Sequence, residues 1–281
     1  MKELSNIFRA LRIKDWIKNV VIFFPVIFSG KILEFQINDY RFFLLNIFNF
    51  CLLTSIVYIF NDIQDKDYDS LNKYKKNRPI ASGSLSTLNA YKASLFLLLL
   101  IIFNYLFFRL SFIEYYFLYF LNNIFYNFKV KRLNIVNSIS ISLGFLIRLF
   151  YGSQLGVVPL EPWLVSLVFL GSFLLSLIKK LSDKIMKTNT RDHLKLENKF
   201  INFSIISMIT IYLLHFYISL EFSFTNQVIS VLIFSTSLLI IKDNIKKISH
   251  SVDTIYILTS DKKFIFFIVL WFSHYYFVRY L

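Results

Sequence analysis

The sequence predicts an all-α integral membrane protein, a bundle of nine transmembrane helices. Composition is the first observation behind this: 56% of the 281 residues are hydrophobic and 19% are aromatic, with a mean hydropathy of +0.58. No ordinary soluble domain of this size has that balance. The second is that nearly charge-free runs recur along the chain, each close to the roughly 20 apolar helical residues that cross a hydrocarbon core about 30 Å thick.

The first run, near 19–36, follows "MKELSNIFRALRIKDWIKN". Leu4, Ile7, Phe8 and Leu11 recur there at helical spacing with basic residues between them, which predicts a helix lying on the membrane surface. No apolar h-region follows at once, so the segment does not read as a cleavable signal peptide. The second run, 42–61, contains "FFLLNIFNFCLLTSIVYIF" and ends in a charged loop, 61–89. The third and fourth runs are 90–108 and 112–128, and the fifth, 135–155, is interrupted by Arg148. The sixth, 161–178, leads into a second charged loop, 179–199, and the last three are 200–220, 224–241 and 264–280. No Pro- or Gly-rich linker, low-complexity tail or short-period repeat divides the chain, so residues 1–281 are expected to form a single domain.

The basic residues fix an orientation. With nine spans, the N-terminal segment and the connections at Lys66 to Arg78, Lys129 to Arg132, Lys179 to Lys199 and Lys242 to Lys263 fall on one side and carry 25 of the 31 Lys and Arg. That side is expected to be cytoplasmic, as in a bacterial inner membrane. The net charge of +14 then belongs to one face, where it meets anionic lipid or anionic substrate. Because these charges are scattered among membrane spans and not gathered in a soluble domain, nucleic acid is not the expected partner. The single Cys51, inside a span, excludes an intrachain disulfide.

Four aspartates lie within nine residues in "NDIQDKDYD", Asn61 to Asp69, directly after the second run. If that stretch continues the helix, Asn61, Asp65 and Asp69 stand at i, i+4 and i+8, with Asp62 three before Asp65, and all share one face. Like charges so placed repel, and a cation reverses the sign of that interaction. The all-oxygen set Asn61, Asp62, Asp65 and Asp69 suits Mg²⁺, or Mn²⁺, far better than Zn²⁺. An EF-hand loop is excluded, because its glycine position is Ser70 and its final glutamate position is Lys76. The bland alternative is a solvated acidic helix end. The following "KYKKNRPIASGSLS" places Lys73, Lys75, Lys76 and Arg78 close by, and cations for phosphate beside carboxylates for a metal suit a diphosphate substrate.

These motifs resemble the UbiA superfamily of intramembrane prenyltransferases. "NDIQDKDYD" with "NRPIASG" is similar to its first aspartate-rich motif, NDxxDxxxD, and its helical bundle matches the predicted spans. Within that superfamily the chain looks like the decaprenyl-phosphate phosphoribosyltransferase branch. "LRIKDWIKNVVIFFPVIFSGKI" resembles the opening LRPxQWxKNxxxFxP of that branch, and "YNFKVKRLNIVNSISISLGFLIRLFYGSQLGVVPLEPW" resembles YSxxLKxxxxxDxxxxxxGFxxRxxxG with the Pro-Trp beyond it. "LIKKLSDKI" resembles its KRxxE motif, where other members carry a second DxxxD. The matches span residues 11–194. The chain departs from the pattern at Asn72-Lys73 in place of His-Pro, at Asn137 in place of Asp, and at Lys179, Lys180 and Asp183 in place of Lys-Arg-Glu.

The resemblance implies 5-phosphoribosyl 1-diphosphate (PRPP) as donor and a polyprenyl phosphate dissolved in the bilayer as acceptor. Asp62, Asp65 and Asp69 would be the catalytic acids, with Asn61 completing a Mg²⁺ site. Lys75, Lys76, Arg78, Lys179, Lys180, Asp183 and Arg191 would bind the donor. Tyr126 is singled out by the family match alone. Lys18 and Lys131 would hold the acceptor phosphate, or serve only as positive-inside charge. Arg148 would line an interior cavity or pair with a partner, the alternative being snorkelling to an interface. His193, His215, His250 and His274 have no metal-ligand spacing, and His215 is expected to be packed or hydrogen-bonded. A prenyltransferase that moves an isoprenoid from its diphosphate to a small, aromatic acceptor is the alternative enzyme. A transporter is the non-enzyme alternative, against which stands the lack of an inverted repeat with paired broken helices.

Overall fold

The computed structural model describes residues 2–72, 74–127, 134–188, 195–219, 223–246 and 261–280. Lys73, Lys131, Arg191, His193 and His250 lie outside them. Every regular element among the described residues is helical: α1 (Lys2–Ala10), a 3₁₀ helix (Ile13–Phe23), α2 (Phe24–Phe28), a second 3₁₀ turn (Lys31–Glu34), α3 (Ile37–Gln64), α4 (Lys66–Leu71), α5 (Thr87–Phe107), α6 (Ile113–Phe125), α7 (Asn134–Gly156), α8 (Pro162–Thr188), α9 (Lys195–Ser219), α10 (Phe224–Lys246) and α11 (Lys262–Tyr280).

Six of these helices, α3, α5 and α7 to α10, are long and apolar enough to cross a membrane, so the expected count of nine is not reproduced. The first expected span is a chain of short pieces. Its 3₁₀ segment hands over to a five-residue α2 with Pro25 in its first turn, and Gly30 then turns the chain at φ 75°. A proline amide cannot extend a helical ladder, and the left-handed conformation at Gly30 ends it. The fourth expected span holds only the 13 residues of α6, about 20 Å of helix at 1.5 Å per residue. In α11, Lys263, His274, Arg279 and three tyrosines dilute the apolar run.

Packing divides the chain into two compact units, Met1–Lys129 with Ile147–Pro159, and Val130–Leu146 with Leu160–Leu281. In the first, α3 is the central helix. Its N-terminus is capped by Asp39, whose carboxylate accepts from the Gln36 amide at 2.9 Å. A polar ladder runs through its buried face: Tyr151 Oη donates to Asn46 Oδ1 at 2.8 Å, and Asn104 Nδ2 donates to Asn49 Oδ1 at 3.1 Å. In hydrocarbon such groups are costly unless paired, so this ladder fixes which faces of α3, α5 and α7 meet. Trp16 Nε1 donates to Ser55 Oγ at 2.9 Å, and Ser55 Oγ to the Leu11 carbonyl at 2.9 Å, which docks the N-terminal segment on α3. Gly152 lets α7 approach that segment closely, since a Cβ there would lie 1.9 Å from the Ile22 carbonyl oxygen.

In the second unit α8 packs on α9 and α10 on α11. Its core includes Leu174, Leu177, Tyr212 and Tyr275, and Trp271 Nε1 donates to Tyr212 Oη at 2.7 Å. His215 is stacked on Trp163 with ring centroids 4.4 Å apart, in keeping with a packed side chain.

Candidate functional site

The acidic stretch does not continue α3 as one straight helix. The Asp65 amide closes the last turn on the Asn61 carbonyl at 3.0 Å, the chain breaks at Asp65 (φ −89°, ψ 1°), and α4 restarts with the Asp69 amide on the Asp65 carbonyl at 2.8 Å. Seven residues of straight helix would separate Asp62 from Asp69 by about 10 Å along the axis. With the break between them, both reach one guanidinium nitrogen: Arg78 Nη1 donates to Asp62 Oδ1 at 3.0 Å and to Asp69 Oδ2 at 2.5 Å. Arg12 donates to the same Asp62 Oδ1, and Lys75 Nζ lies 3.6 Å from Asp69 Oδ1.

Local sequence explains how Arg78 is aimed. In "NRPIASG", the Ser82 amide donates to the Arg78 carbonyl at 2.8 Å and the Leu85 amide to the Pro79 carbonyl at 2.9 Å, and Gly83 at φ 75° permits the turn between them. The N-terminal helix braces this loop, with Arg9 Nη2 donating to the Asn77 carbonyl at 3.0 Å and Asn6 Nδ2 to the Ser84 carbonyl at 2.9 Å. Arg12 stands just after that helix with φ 51°, a left-handed conformation that costs a non-glycine residue about 1–3 kcal/mol and tends to persist at functional sites. Burial on its own would lower the Arg12 pKa; the carboxylates of Asp62 and Asp15 outweigh it and raise the value above the ordinary one.

Beside Asp62, Asn61 Oδ1 accepts from Asn127 Nδ2 just beyond α6. Asn127 Oδ1 and Asp69 Oδ1 are buried oxygens with no hydrogen-bond donor on them. Asp65 is half-buried at the helix break and Lys76 is exposed. Lys18 pairs with Asp15 at 2.5 Å and lies 5.8 Å from the Tyr58 ring, over which Arg12 also sits at 5.2 Å. Tyr126 is half-buried beside Asn127.

Among the described residues no three His, Cys, Asp or Glu side chains converge as a metal-binding group. The donors are nevertheless those a hard divalent ion takes, namely carboxylate and amide oxygens of Asn61, Asp62 and Asp69, and one of them, Asp69 Oδ1, is a buried oxygen lacking a hydrogen-bond donor. Between Asp62 and Asp69 a positive charge is already accommodated, that of Arg78.

Arg148 lies elsewhere in the first unit. It is only 3% exposed; Nε donates to Asn19 Oδ1 at 2.7 Å, Nη2 to Tyr119 Oη at 2.9 Å, and the guanidinium sits 4.5 Å from the Tyr119 ring centre. The partners expected for an ionisable group at that depth are thus an amide and a phenol, and it does not snorkel. In the second unit Lys179, Lys180 and Asp183 are on α8, which runs on to Thr188, and not in a loop. Lys180 Nζ donates to Ser138 Oγ at 3.0 Å, which also accepts from Ser176 Oγ at 3.0 Å.

Sequence reasoning passed over Arg12, Asn127, Asn19 and Tyr119. The first three were within reach of it, since Arg12 and Asn19 lie in "LRIKDWIKN" and Asn127 in "YNFK". No spacing rule, however, connects them to the partners they find 50, 66 and 129 positions away.

Comparison with known proteins adds three findings. The model of the UbiA prenyltransferase family matches residues 22–254. The chain is 28% identical over 184 residues to decaprenyl-phosphate phosphoribosyltransferase of Mycolicibacterium smegmatis, covering 64% of this chain and 57% of that protein. It is 25% identical over 194 residues to the protein of the same name from Corynebacterium glutamicum, covering 66% and 57%. The chain spans between a quarter and somewhat over half the length of the curated relatives it matches. Among solved structures, a UbiA homolog from Archaeoglobus fulgidus bound to GPP and Mg²⁺ shares the fold, with a TM-score of 0.66 at 16% identity over 98% of this chain and 100% of that one.

Proposed function

The chain belongs to the UbiA prenyltransferase family of integral membrane transferases, and from that premise we propose that it transfers 5-phosphoribosyl from PRPP to a polyprenyl phosphate and releases diphosphate. The observation that carries this reading is the gathering of Asp62 and Asp69 with Arg12, Arg78 and Lys75 in one cluster. It offers both signs of charge, which a diphosphate accompanied by a metal requires. The curated relatives named as phosphoribosyltransferases support the donor. So does the sequence at the second motif: PRPP is phosphorylated at both ends, and Lys179, Lys180 and Asp183 supply more cations there than a second DxxxD would.

In this mechanism a phosphate oxygen of the lipid attacks C1 of ribose. The C1–O bond to diphosphate breaks, and its electron pair leaves with the diphosphate. Mg²⁺ or Mn²⁺, when bound by Asn61, Asp62, Asp65 and Asp69, supplies charge stabilisation to that leaving group. Arg78, Arg12, Lys75 and Lys76 neutralise further phosphate oxygens, while Lys179, Lys180 and Arg191 bind the donor's remaining charge. Lys18 and Lys131 receive the acceptor phosphate. No protein nucleophile is needed, so positioning and electrostatics supply the rate. The site faces the cytoplasm of a bacterial inner membrane, and the product serves cell-envelope or surface-glycan synthesis.

A UbiA-type prenyl transfer to a small aromatic acceptor is the second reading, favoured by the fold shared with a homolog bound to GPP and Mg²⁺. One assay separates the two. Purified protein in detergent is given labelled PRPP with polyprenyl phosphate and, in parallel, prenyl diphosphate with aromatic acids. Label in a phosphoribosyl lipid supports the first reading; a prenylated acid and no such lipid replaces it with the second.

A further inference from the structure

We propose that Arg78, with Arg12, is a resident counter-ion of the acidic pair which competes with the divalent metal, so that metal and diphosphate bind by exchange and enhance one another. The inference rests on the proposed function only in taking the cluster as a metal and diphosphate site. It does not depend on which diphosphate is the substrate.

The geometry is that of an occupied bridge. Arg78 Nη1 contacts Asp62 Oδ1 at 3.0 Å and Asp69 Oδ2 at 2.5 Å, and Arg12 meets the same Asp62 oxygen. A divalent ion placed between these two carboxylates would meet the guanidinium charge that already bridges Asp62 Oδ1 and Asp69 Oδ2, while Asp69 Oδ1 carries no hydrogen-bond donor. Two acids face two arginines, with Lys75 Nζ 3.6 Å from Asp69 Oδ1 as a third cation, in a place where an unpaired charge is costly.

Burial indicates which partner moves. The Asp62 and Asp69 side chains are 4% and 1% exposed, whereas those of Arg12, Arg78 and Lys75 are 24%, 28% and 36% exposed. The acids are fixed at the end of α3 and on α4, and the cations reach in on long side chains from the N-terminal segment and residues 74–85. Metal arriving alone must expel cations that then have no anion. Diphosphate arriving alone meets arginines already committed to carboxylates. When both arrive, the carboxylates turn to the metal, the arginines turn to phosphate oxygens, and every charge keeps a partner. Arg78 is therefore a positioning residue whose two anionic partners, carboxylate before and phosphate after, couple the two ligands.

The test uses the full-length protein in detergent, Mn²⁺ counted by electron paramagnetic resonance, and inorganic diphosphate. In the unaltered protein, saturating diphosphate should tighten Mn²⁺ binding about tenfold or more, within the usual span of coupled sites. In Arg78→Gln, Mn²⁺ alone should bind several-fold tighter than to the unaltered protein, and the enhancement by diphosphate should shrink. Arg12→Gln, which also releases Asp62, gives an independent version should Arg78→Gln not fold. Mn²⁺ binding that is unchanged or weaker in both variants overturns the exchange while leaving the metal site intact. Absence of Mn²⁺ binding to any of the proteins, with or without diphosphate, overturns the metal site and the exchange together. Coupling as described in a protein that turns over no PRPP supports the exchange and removes only the donor assignment.

Discussion

Asn19 and Arg148, 129 positions apart, are joined by a 2.7 Å hydrogen bond from Arg148 Nε to Asn19 Oδ1 inside the first unit. Arg148 Nη2 also donates to Tyr119 Oη at 2.9 Å, and Asn19 Nδ2 donates to Cys51 Sγ at 3.0 Å. Side chains of four segments, Cys51, Asn19, Arg148 and Tyr119, are thus linked by hydrogen bonds that run through an arginine only 3% exposed. Replacing Arg148 by Met leaves the Asn19 and Tyr119 oxygens buried without their donor, which should cost about 2–4 kcal/mol. Arg148→Lys should recover little of it, because one ammonium does not reproduce the planar fork that serves both partners. Thermal melting in detergent, read against the unaltered protein, checks both variants.

Gly152 gives a prediction of the opposite kind, too much side chain where there is none. A methyl group there would sit 1.9 Å from the Ile22 carbonyl oxygen, which is backbone and cannot rotate away. Gly152→Ala should destabilise by about 1–3 kcal/mol, the usual cost of overpacking, despite alanine being the better helix former. A melting temperature at or above that of the unaltered protein would contradict the close approach.

Asp62 and Asp69 should be needed for turnover. Asp62→Asn or Asp69→Asn should lower the single-turnover rate about 100-fold or more, the scale seen when one electrostatic contact to a reacting group is removed. Asp67, exposed and outside the cluster, should tolerate the same change within about twofold. Loss of activity in Asp67→Asn equal to that in Asp69→Asn would mean that general acidity, and not this pairing, matters.

Chelation tests the metal. Activity should vanish in EDTA, return with Mg²⁺ or Mn²⁺, and fail to return with Zn²⁺, since the donors are oxygens with no imidazole or thiolate among them. Full turnover in chelator would leave Arg12, Arg78 and Lys75 as the sole stabilisers of the leaving group.

Much of this protein is legible without coordinates. Apolar runs become helices in hydrocarbon because only a helix pairs its own backbone groups there, so α3, α5 and α7 to α10 follow from hydropathy alone. The acids and basic residues of the first charged stretch were equally visible, because the donors and their cations lie within seventeen residues of one another.

Tertiary structure decided the rest. Hydropathy could not see that the run at 19–36 is cut by Pro25 and the turn at Gly30, since its apolar content is unchanged by the break. Nor could spacing show that the chain bends at Asp65, bringing Asp62 and Asp69 to one nitrogen of Arg78. Arg12 reaches Asp62 from 50 positions away and Asn127 reaches Asn61 from 66, and Arg148 finds Asn19 across 129. Such pairs leave no periodic trace in the sequence. They exist because burying a polar group in an apolar bundle is tolerable only where packing delivers its partner, and packing is a property of the folded chain.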